Sequence, residues 1–142
     1  VVLPALEVFI TERCTLCCRD CSHLIPRYGK PIDHDIETII KYLDNVLMVV
    51  DYISDLIILG GEPFLHKKIS ALLEYCHLHD KIGDITIISN GTVMPGEVVF
   101  EVMKKTETRV RLSNYGKYSV FILRKDSKNL LFSEEFPFVK RM

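Results

Sequence analysis

Short β-type runs alternate with longer helical runs along most of this chain, and this alternation constrains the fold more than any other feature. The four β-type runs are rich in β-branched residues and cover residues 6–11, 55–59, 84–88 and 108–112. Between them, apolar residues recur at the spacing of one helix face. These faces comprise Ile36, Ile39, Ile40, Leu43 and Leu47, then Ile69, Leu72, Leu73 and Cys76, then Val98, Val99, Val102 and Met103. The order predicts a parallel α/β sheet with right-handed crossovers.

The chain is predicted to form one domain over residues 1–142, a length that can bury a substantial core. Asp33 or Asp35 is available to cap the first helix. Towards the end of the chain, we expect a helix over residues 119–131 and an apolar segment over residues 136–139.

Charge and hydropathy argue against two classes of partner. The formal net charge of −1 predicts no general attraction to nucleic acid or to an anionic membrane surface. The apolar run of residues 1–10 contains Pro4 and Glu7 and is too short to span a bilayer, so it is interpreted as a buried strand. With no secretory signal in the sequence, we expect a soluble, cytoplasmic protein.

Each predicted strand is followed by a distinctive loop. Because the carboxyl ends of parallel strands meet at one edge of the sheet, these loops are expected to line one face and to share one site. The loops span Cys14 to Cys21, Gly60 to Pro63, Ser89 to Thr92 and Ser113 to Gly116.

Four of the five cysteines lie in the first of these loops. In a reducing compartment such crowding indicates a metal site rather than disulfides. The spacing of Cys14, Cys18 and Cys21 supplies three thiolates for three irons of a cubane cluster and leaves one iron open. A zinc site that also uses Cys17 is the alternative, although structural zinc sites usually join two separated cysteine pairs. We favour the cluster, with Cys17 as a spectator.

Three other reactive side chains have simpler interpretations. His23 and His66 lie near the predicted active face, where a histidine is more often a capping or surface residue than a catalyst. Cys76 lies on an apolar helix face and is predicted to be a small buried hydrophobic residue.

The Cys14-x3-Cys18-x2-Cys21 loop and the Gly60-Gly61-Glu62-Pro63 motif together resemble the radical S-adenosylmethionine (SAM) superfamily. The resemblance implies a partial, open TIM-type barrel of parallel βα repeats, with a [4Fe-4S] cluster held by the three cysteines. It also implies that Gly60, Gly61, Glu62 and Pro63 contact the amino group of SAM, with the charge of Glu62 near the ammonium. Taken alone, this motif is also an ordinary strand-to-helix turn.

Two further loops fit the same resemblance. The loop from Ser89 to Thr92 is similar to the Thr-Asn-Gly-Thr loop of many members, which makes Asn90 a candidate cofactor-binding residue. Ser113 and Asn114 stand where the family often places polar groups that bind the ribose or carboxylate of SAM. An ordinary turn and a polar strand end are the alternatives for these two sites.

The function implied by the resemblance is that of a radical SAM enzyme. Such an enzyme reductively cleaves SAM to a 5'-deoxyadenosyl radical, which abstracts hydrogen from a substrate that is unknown here, either a small molecule or a peptide. An electron donor such as flavodoxin or ferredoxin is implied as a partner. Two alternatives stay open: a degenerate domain that binds cluster or SAM without turnover, and a structural or electron-transfer metal module.

The resemblance covers roughly the first 118 residues, which amounts to about four βα units where the family usually has six. We therefore expect a truncated core, a fragment, or a half-barrel that relies on another chain. The free sheet edge after the fourth predicted strand would favour self-association.

Overall fold

The computed structural model describes residues 1–113 and the backbone of residues 132–135. Three features predicted from the sequence lie outside the described residues: the helix over residues 119–131, the apolar segment over residues 136–139, and the site residue Asn114.

The described strands form one parallel sheet whose spatial order follows the order along the chain. The strands are β1 (Val2–Leu3), β2 (Leu6–Phe9), β3 (Tyr52–Leu59), β4 (Ile82–Ser89), β5 (Arg109–Ser113) and β6 (Phe132–Glu135). The helices are α1 (Ile36–Val49), α2 (Ile69–Leu78) and α3 (Glu97–Lys105). A sequential order is that of a TIM-type barrel, whereas a doubly wound fold reverses direction at a switch point. The predicted parallel α/β class with an open, partial barrel is therefore confirmed.

The first two strands, β1 and β2, both pair with β3 and together form one edge of the sheet. Leu3 is paired with Ile53 and Leu6 with Leu56, so β1 and β2 keep the same register against β3. Pro4 lies in the interruption, as expected for a residue that cannot donate to the ladder. Val1 and Val2 are 76% and 59% exposed, and of residues 1–10 only Ile10 is fully buried, so the interpretation of this run as a buried strand was wrong over most of its length.

A further strand, β6, lies beside β5. The two are parallel, with Val110 paired to Phe132 and Ser113 to Glu135. This segment therefore occupies the edge after the fourth predicted strand, and the prediction that this edge is free was wrong. Self-association stays a prediction, but a free edge on β5 no longer supports it.

One face of the sheet packs against the helices to form the core. The buried residues of α1 and α2 include nearly all of the predicted apolar positions. Asp35, and not Asp33, caps α1, because its Oδ2 accepts hydrogen bonds from Thr38 N at 3.0 Å and Thr38 Oγ1 at 2.8 Å. Cys76 is completely buried, as predicted, and burial raises the pKa of its thiol to about 12.

Helix α3 covers the sheet less completely than its sequence pattern predicts. Met103 is fully buried, but Val98 is 73% exposed, and Val99 and Val102 are only partly buried. Among the described residues, no helix is long and apolar enough to cross a membrane.

The opposite face of the sheet is open near β2 and β3. Leu6 and Val8 pack towards the helical core, so the alternation of a strand turns Glu7 and Phe9 to the other side. There they line a cavity of about 300 Å³ together with His23, Tyr28 and Leu59.

Candidate functional site

Thr11 lies between the end of β2 and the cysteine loop, and it is completely buried. Its hydroxyl donates to Asp33 Oδ1 at 2.6 Å and accepts a hydrogen bond from Arg13 N at 3.1 Å. Arg13 also forms an ion pair with the second oxygen of Asp33 at 2.9 Å. These contacts hold the pKa of Asp33 below its ordinary value, although partial burial opposes them. The base of the loop is thereby fixed before the first cysteine.

The two glycines of the loop after β3 allow close contact with the cysteine loop. Gly61 N donates to Thr11 O and Glu62 N donates to Arg13 O, each at 2.8 Å. A Cβ atom on Gly61 would lie 2.2 Å from the carbonyl oxygen of Arg13, and one on Gly60 would lie 2.6 Å from that of Thr11. The absence of a side chain at Gly60 and Gly61 therefore allows the backbone that leads into the cysteine loop to lie against them.

Glu62 is fully buried and connects the loop after β3 to the loop after β4. Ser89 Oγ donates to its two carboxylate oxygens at 2.9 and 3.0 Å, and Asn90 N donates to Oε2 at 2.9 Å. Phe64 N donates to Oε1 at 3.2 Å. Burial raises the pKa of Glu62 to about 7, and the hydrogen bonds from Asn90, Phe64 and Ser89 limit the rise. The predicted contact of Glu62 with the SAM ammonium stays a prediction.

Asn90 connects the loop after β4 to the cysteine loop. Its Nδ2 donates to Thr15 Oγ1 at 3.2 Å and to Cys14 Sγ at 3.5 Å. Its Oδ1 accepts hydrogen bonds from Thr92 N at 2.9 Å and Thr92 Oγ1 at 2.6 Å, and the Thr15 and Thr92 hydroxyls are also hydrogen bonded to each other. Together with Glu62, Asn90 joins three of the four predicted loops into one connected site.

The four clustered cysteines differ in exposure. Cys14, Cys18 and Cys21 are half-buried, whereas Cys17 is exposed. Burial raises the pKa of the Cys14 thiol, and the N–H groups of Leu16 and Asn90 act in the opposite direction. The difference in exposure agrees with the ligand register predicted for the loop, in which Cys17 is the spectator.

The thiols fit a cluster by their chemistry rather than by a preformed geometry. Within residues 1–113, no three His, Cys, Asp or Glu side chains come together closely enough to hold a metal ion. The loop nevertheless presents three half-buried thiols at the edge of the sheet, and thiolates are the ligands of iron–sulfur clusters. The assignment of Cys14, Cys18 and Cys21 as ligands therefore stays a prediction that the donor set supports.

The remaining predicted residues have different environments. Ser113 ends β5 and is half-buried, and the preceding residue is paired with Ser89, so Ser113 lies at the same edge as the three connected loops. Its role in binding SAM stays a prediction. His66 is buried: its Nδ1 accepts a hydrogen bond from Lys68 N at 3.1 Å, so its Nε2 carries the proton donated to His34 O at 2.8 Å. His66 is also the residue that ends the short 3₁₀ helix Pro63–Leu65, which fits its interpretation as a capping residue.

Sequence reasoning missed the residues that hold the loops together. Thr11, Arg13, Asp33 and Thr15 were not recognised as part of the site, because their partners are distant along the chain or lie in another loop. The one available signal was the position of Thr11 at the carboxyl end of a strand, where side chains of the site are expected.

Comparison with known proteins identifies the family. The sequence model described as the Radical SAM superfamily matches residues 8–113, which include all three connected loops. The chain is also similar to proteins named GTP 3',8-cyclase. The one from Desulforamulus reducens is 33% identical over 113 residues, and the one from Peptoclostridium acidaminophilum is 31% identical over 111 residues.

Both alignments cover 76% of this chain and 33% of the relative. The chain therefore spans about a third of the length of the curated relatives it matches. A [4Fe-4S] cluster and SAM are the cofactors of the family that the matched model describes. On the family match and on the cysteine and Gly-Gly-Glu-Pro loops that the structure brings together, this chain belongs to the radical SAM superfamily.

Proposed function

We propose that this chain forms the cofactor-binding part of a radical SAM enzyme that generates a 5'-deoxyadenosyl radical for hydrogen abstraction from an organic substrate. The observation that supports this most directly is the connection of the loops after β2, β3 and β4 through Glu62 and Asn90. Such a connection holds Cys14, the first of the predicted cluster ligands, next to the predicted SAM-binding motif.

Each loop has a distinct part in this proposal. Cys14, Cys18 and Cys21 bind three irons of the cluster and leave the fourth for SAM. When bound, the cluster supplies the single electron for reductive cleavage of the sulfonium. The backbone of Gly60 and Gly61 is held by its packing against the cysteine loop and orients the amino acid end of SAM. Ser113, at the same edge, extends the binding surface towards β5.

The buried carboxylate of Glu62 positions the two loops that it joins, because it accepts hydrogen bonds from Phe64, Ser89 and Asn90. It keeps the loop after β3 at a fixed distance from the loop after β4. Its negative charge also contributes a favourable potential for a nearby ammonium, since charges interact more strongly where water is excluded.

A purine nucleotide is the substrate class that we propose to test first. The similar proteins are named for a reaction of GTP, although the chain covers only part of their length. The cavity on the open face of the sheet has the aromatic rings of Phe9 and Tyr28 and the carboxylate of Glu7 in its lining. Aromatic rings stack on a heterocycle, and a carboxylate accepts hydrogen bonds from its N–H groups.

Electron supply and location are part of the same proposal. Flavodoxin or ferredoxin is the proposed donor, because cleavage of SAM needs one electron from outside the chain. We place the reaction in the cytoplasm, where the cysteines stay reduced and able to bind iron.

Anaerobic reconstitution with iron and sulfide, followed by dithionite and SAM, tests the proposal. We expect release of 5'-deoxyadenosine from the wild-type chain and none from Cys18→Ser. SAM binding without cleavage would instead indicate a degenerate domain. Tetrahedral zinc without SAM binding would indicate a structural metal module. A second assay with GTP present then asks whether the nucleotide changes the rate of SAM cleavage.

A further inference from the structure

The side chain of Asn90 has a defined orientation in the site. The backbone N–H of Thr92 can only donate, and it lies 2.9 Å from Oδ1 of Asn90. The acceptor atom of the amide must therefore face Thr92. It follows that the NH2 group faces the cysteine loop, where it lies 3.2 Å from Thr15 Oγ1 and 3.5 Å from Cys14 Sγ.

Cys14 accepts a second hydrogen bond from its own loop. Leu16 N lies 3.4 Å from Cys14 Sγ, so a backbone N–H and a side-chain N–H both point to one sulfur. The backbone donor belongs to the cysteine loop itself, whereas the Asn90 donor comes from the end of β4. Asn90 therefore links the Cys14 side chain directly to the end of β4.

A donor to a ligand sulfur also affects the cluster that the sulfur holds. Reduction adds negative charge to the cluster and its sulfurs, and an N–H donor stabilises that charge more in the reduced state than in the oxidised state. Hydrogen bonds to the sulfurs are among the factors that set the reduction potential of iron–sulfur clusters. Loss of one donor is expected to make the potential more negative.

From this geometry we infer that Asn90 is a positioning residue for the cluster ligand Cys14 and that its amide raises the reduction potential of the cluster. The inference rests on the proposed function, since it takes Cys14 as a ligand. The role is separate from the predicted contact of Asn90 with SAM, because the hydrogen bond to Cys14 is present in the protein alone.

Substitutions in this loop can distinguish the effect of the Asn90 N–H donor from the effect of a change in loop conformation. Asn90→Ala removes the donor and the acceptor. Asn90→Leu has nearly the same size and no charge, and it has no N–H group to offer Cys14. The bond from Asn90 N to Glu62 belongs to the backbone, so both variants retain it. Thr92→Val is the matched control. It removes the hydroxyl that donates to Asn90 Oδ1 but keeps the bond from Thr92 N, which still orients the amide so that its NH2 group faces Cys14.

The measurement is the midpoint potential of the reconstituted cluster in the absence of SAM, after iron and sulfide content have been determined. We expect a negative shift in both Asn90 variants and a potential near that of the wild type in Thr92→Val. If Asn90→Ala assembles little cluster, Asn90→Leu provides the potential.

The possible failures can be told apart. Loaded Asn90 variants with the wild-type potential would overturn the inference and leave the cluster assignment intact. An equal shift in Thr92→Val would also overturn it, because loop shape and not the donor would then set the potential. A wild-type chain that binds no cluster would overturn the ligand assignment and the inference together.

Discussion

The Ser89 hydroxyl lies 2.9 Å from one carboxylate oxygen of Glu62 and 3.0 Å from the other. Both residues are almost completely buried, and they come from the ends of neighbouring strands. A buried carboxylate without donors is costly, so the two loops depend on each other. The Gly-Gly-Glu-Pro motif therefore has a structural function in addition to any contact with a cofactor.

Replacement of Ser89 by alanine is expected to destabilise the chain by about 1.5–3 kcal/mol, because a hydrogen bond to a buried, partly charged group is lost. Urea unfolding followed by circular dichroism measures the change. Ser70→Ala, on α2, is the matched control and is expected to change the free energy of unfolding by about 0.5 kcal/mol or less. Equal effects in the two variants would show that the Ser89 bond contributes little.

The pKa of Glu62 predicts a specific pH dependence of stability. Its folded value is about 7 and its ordinary value is 4.5, so between these pH values the folded state holds a proton that the unfolded state has lost. The contribution of Glu62 to stability is thus fully present below pH 4.5, falls as the pH rises towards 7, and levels off above the folded pKa.

Comparison of the wild type with Glu62→Gln isolates that contribution. Urea midpoints from pH 4.5 to 8 should decline more steeply for the wild type than for the glutamine variant, in which this group does not titrate. Parallel curves for the two proteins would contradict the raised pKa.

Gly61→Ala is expected to prevent the normal contact between the two loops. The new Cβ atom would lie 2.2 Å from Arg13 O and 2.6 Å from Arg13 C, both of which are backbone atoms that cannot move independently of the loop. We expect a loss of stability and a reduced iron content after reconstitution. Gly29→Ala is the control, because a Cβ atom there meets nothing within 4 Å. Iron content in Gly61→Ala equal to that of the control would argue against the contact.

The cysteine register can be tested residue by residue. Cys17→Ser should retain a full cluster, because Cys17 is exposed while the three predicted ligands are half-buried. Cys14→Ser, Cys18→Ser and Cys21→Ser should each lose it. Iron and sulfide analysis with electron paramagnetic resonance gives the result. Iron loss in Cys17→Ser as large as that in Cys18→Ser would show that the register is wrong.

Much of the fold could be predicted because it depends on local patterns. The apolar spacing that predicted α1 and α2 reports directly on which residues face the core. The start of β3 at Tyr52 was placed three residues late, at Asp55. Ile53, which the prediction left out, is fully buried and is paired in the sheet with Ile82.

The site was predictable in its position but not in its internal contacts. Loops that follow the carboxyl ends of parallel strands lie on the same side of the sheet. The positions of the strand ends were therefore sufficient to group the cysteines with Gly60 and Asn90. The sequence does not show where a side chain points. Glu62 was expected to face a ligand, but its carboxylate accepts hydrogen bonds from Ser89 and Asn90, residues that lie more than twenty positions away.

The sequential order of the sheet has a consequence for how such a site can diversify. The three connected loops, after β2, β3 and β4, lie together towards one end of the row of described strands. Changes in units at the far end can alter what is bound without disturbing Thr11, Glu62 or Asn90. The arrangement lets the connected loops at one end of the sheet stay fixed while the surface further along it varies.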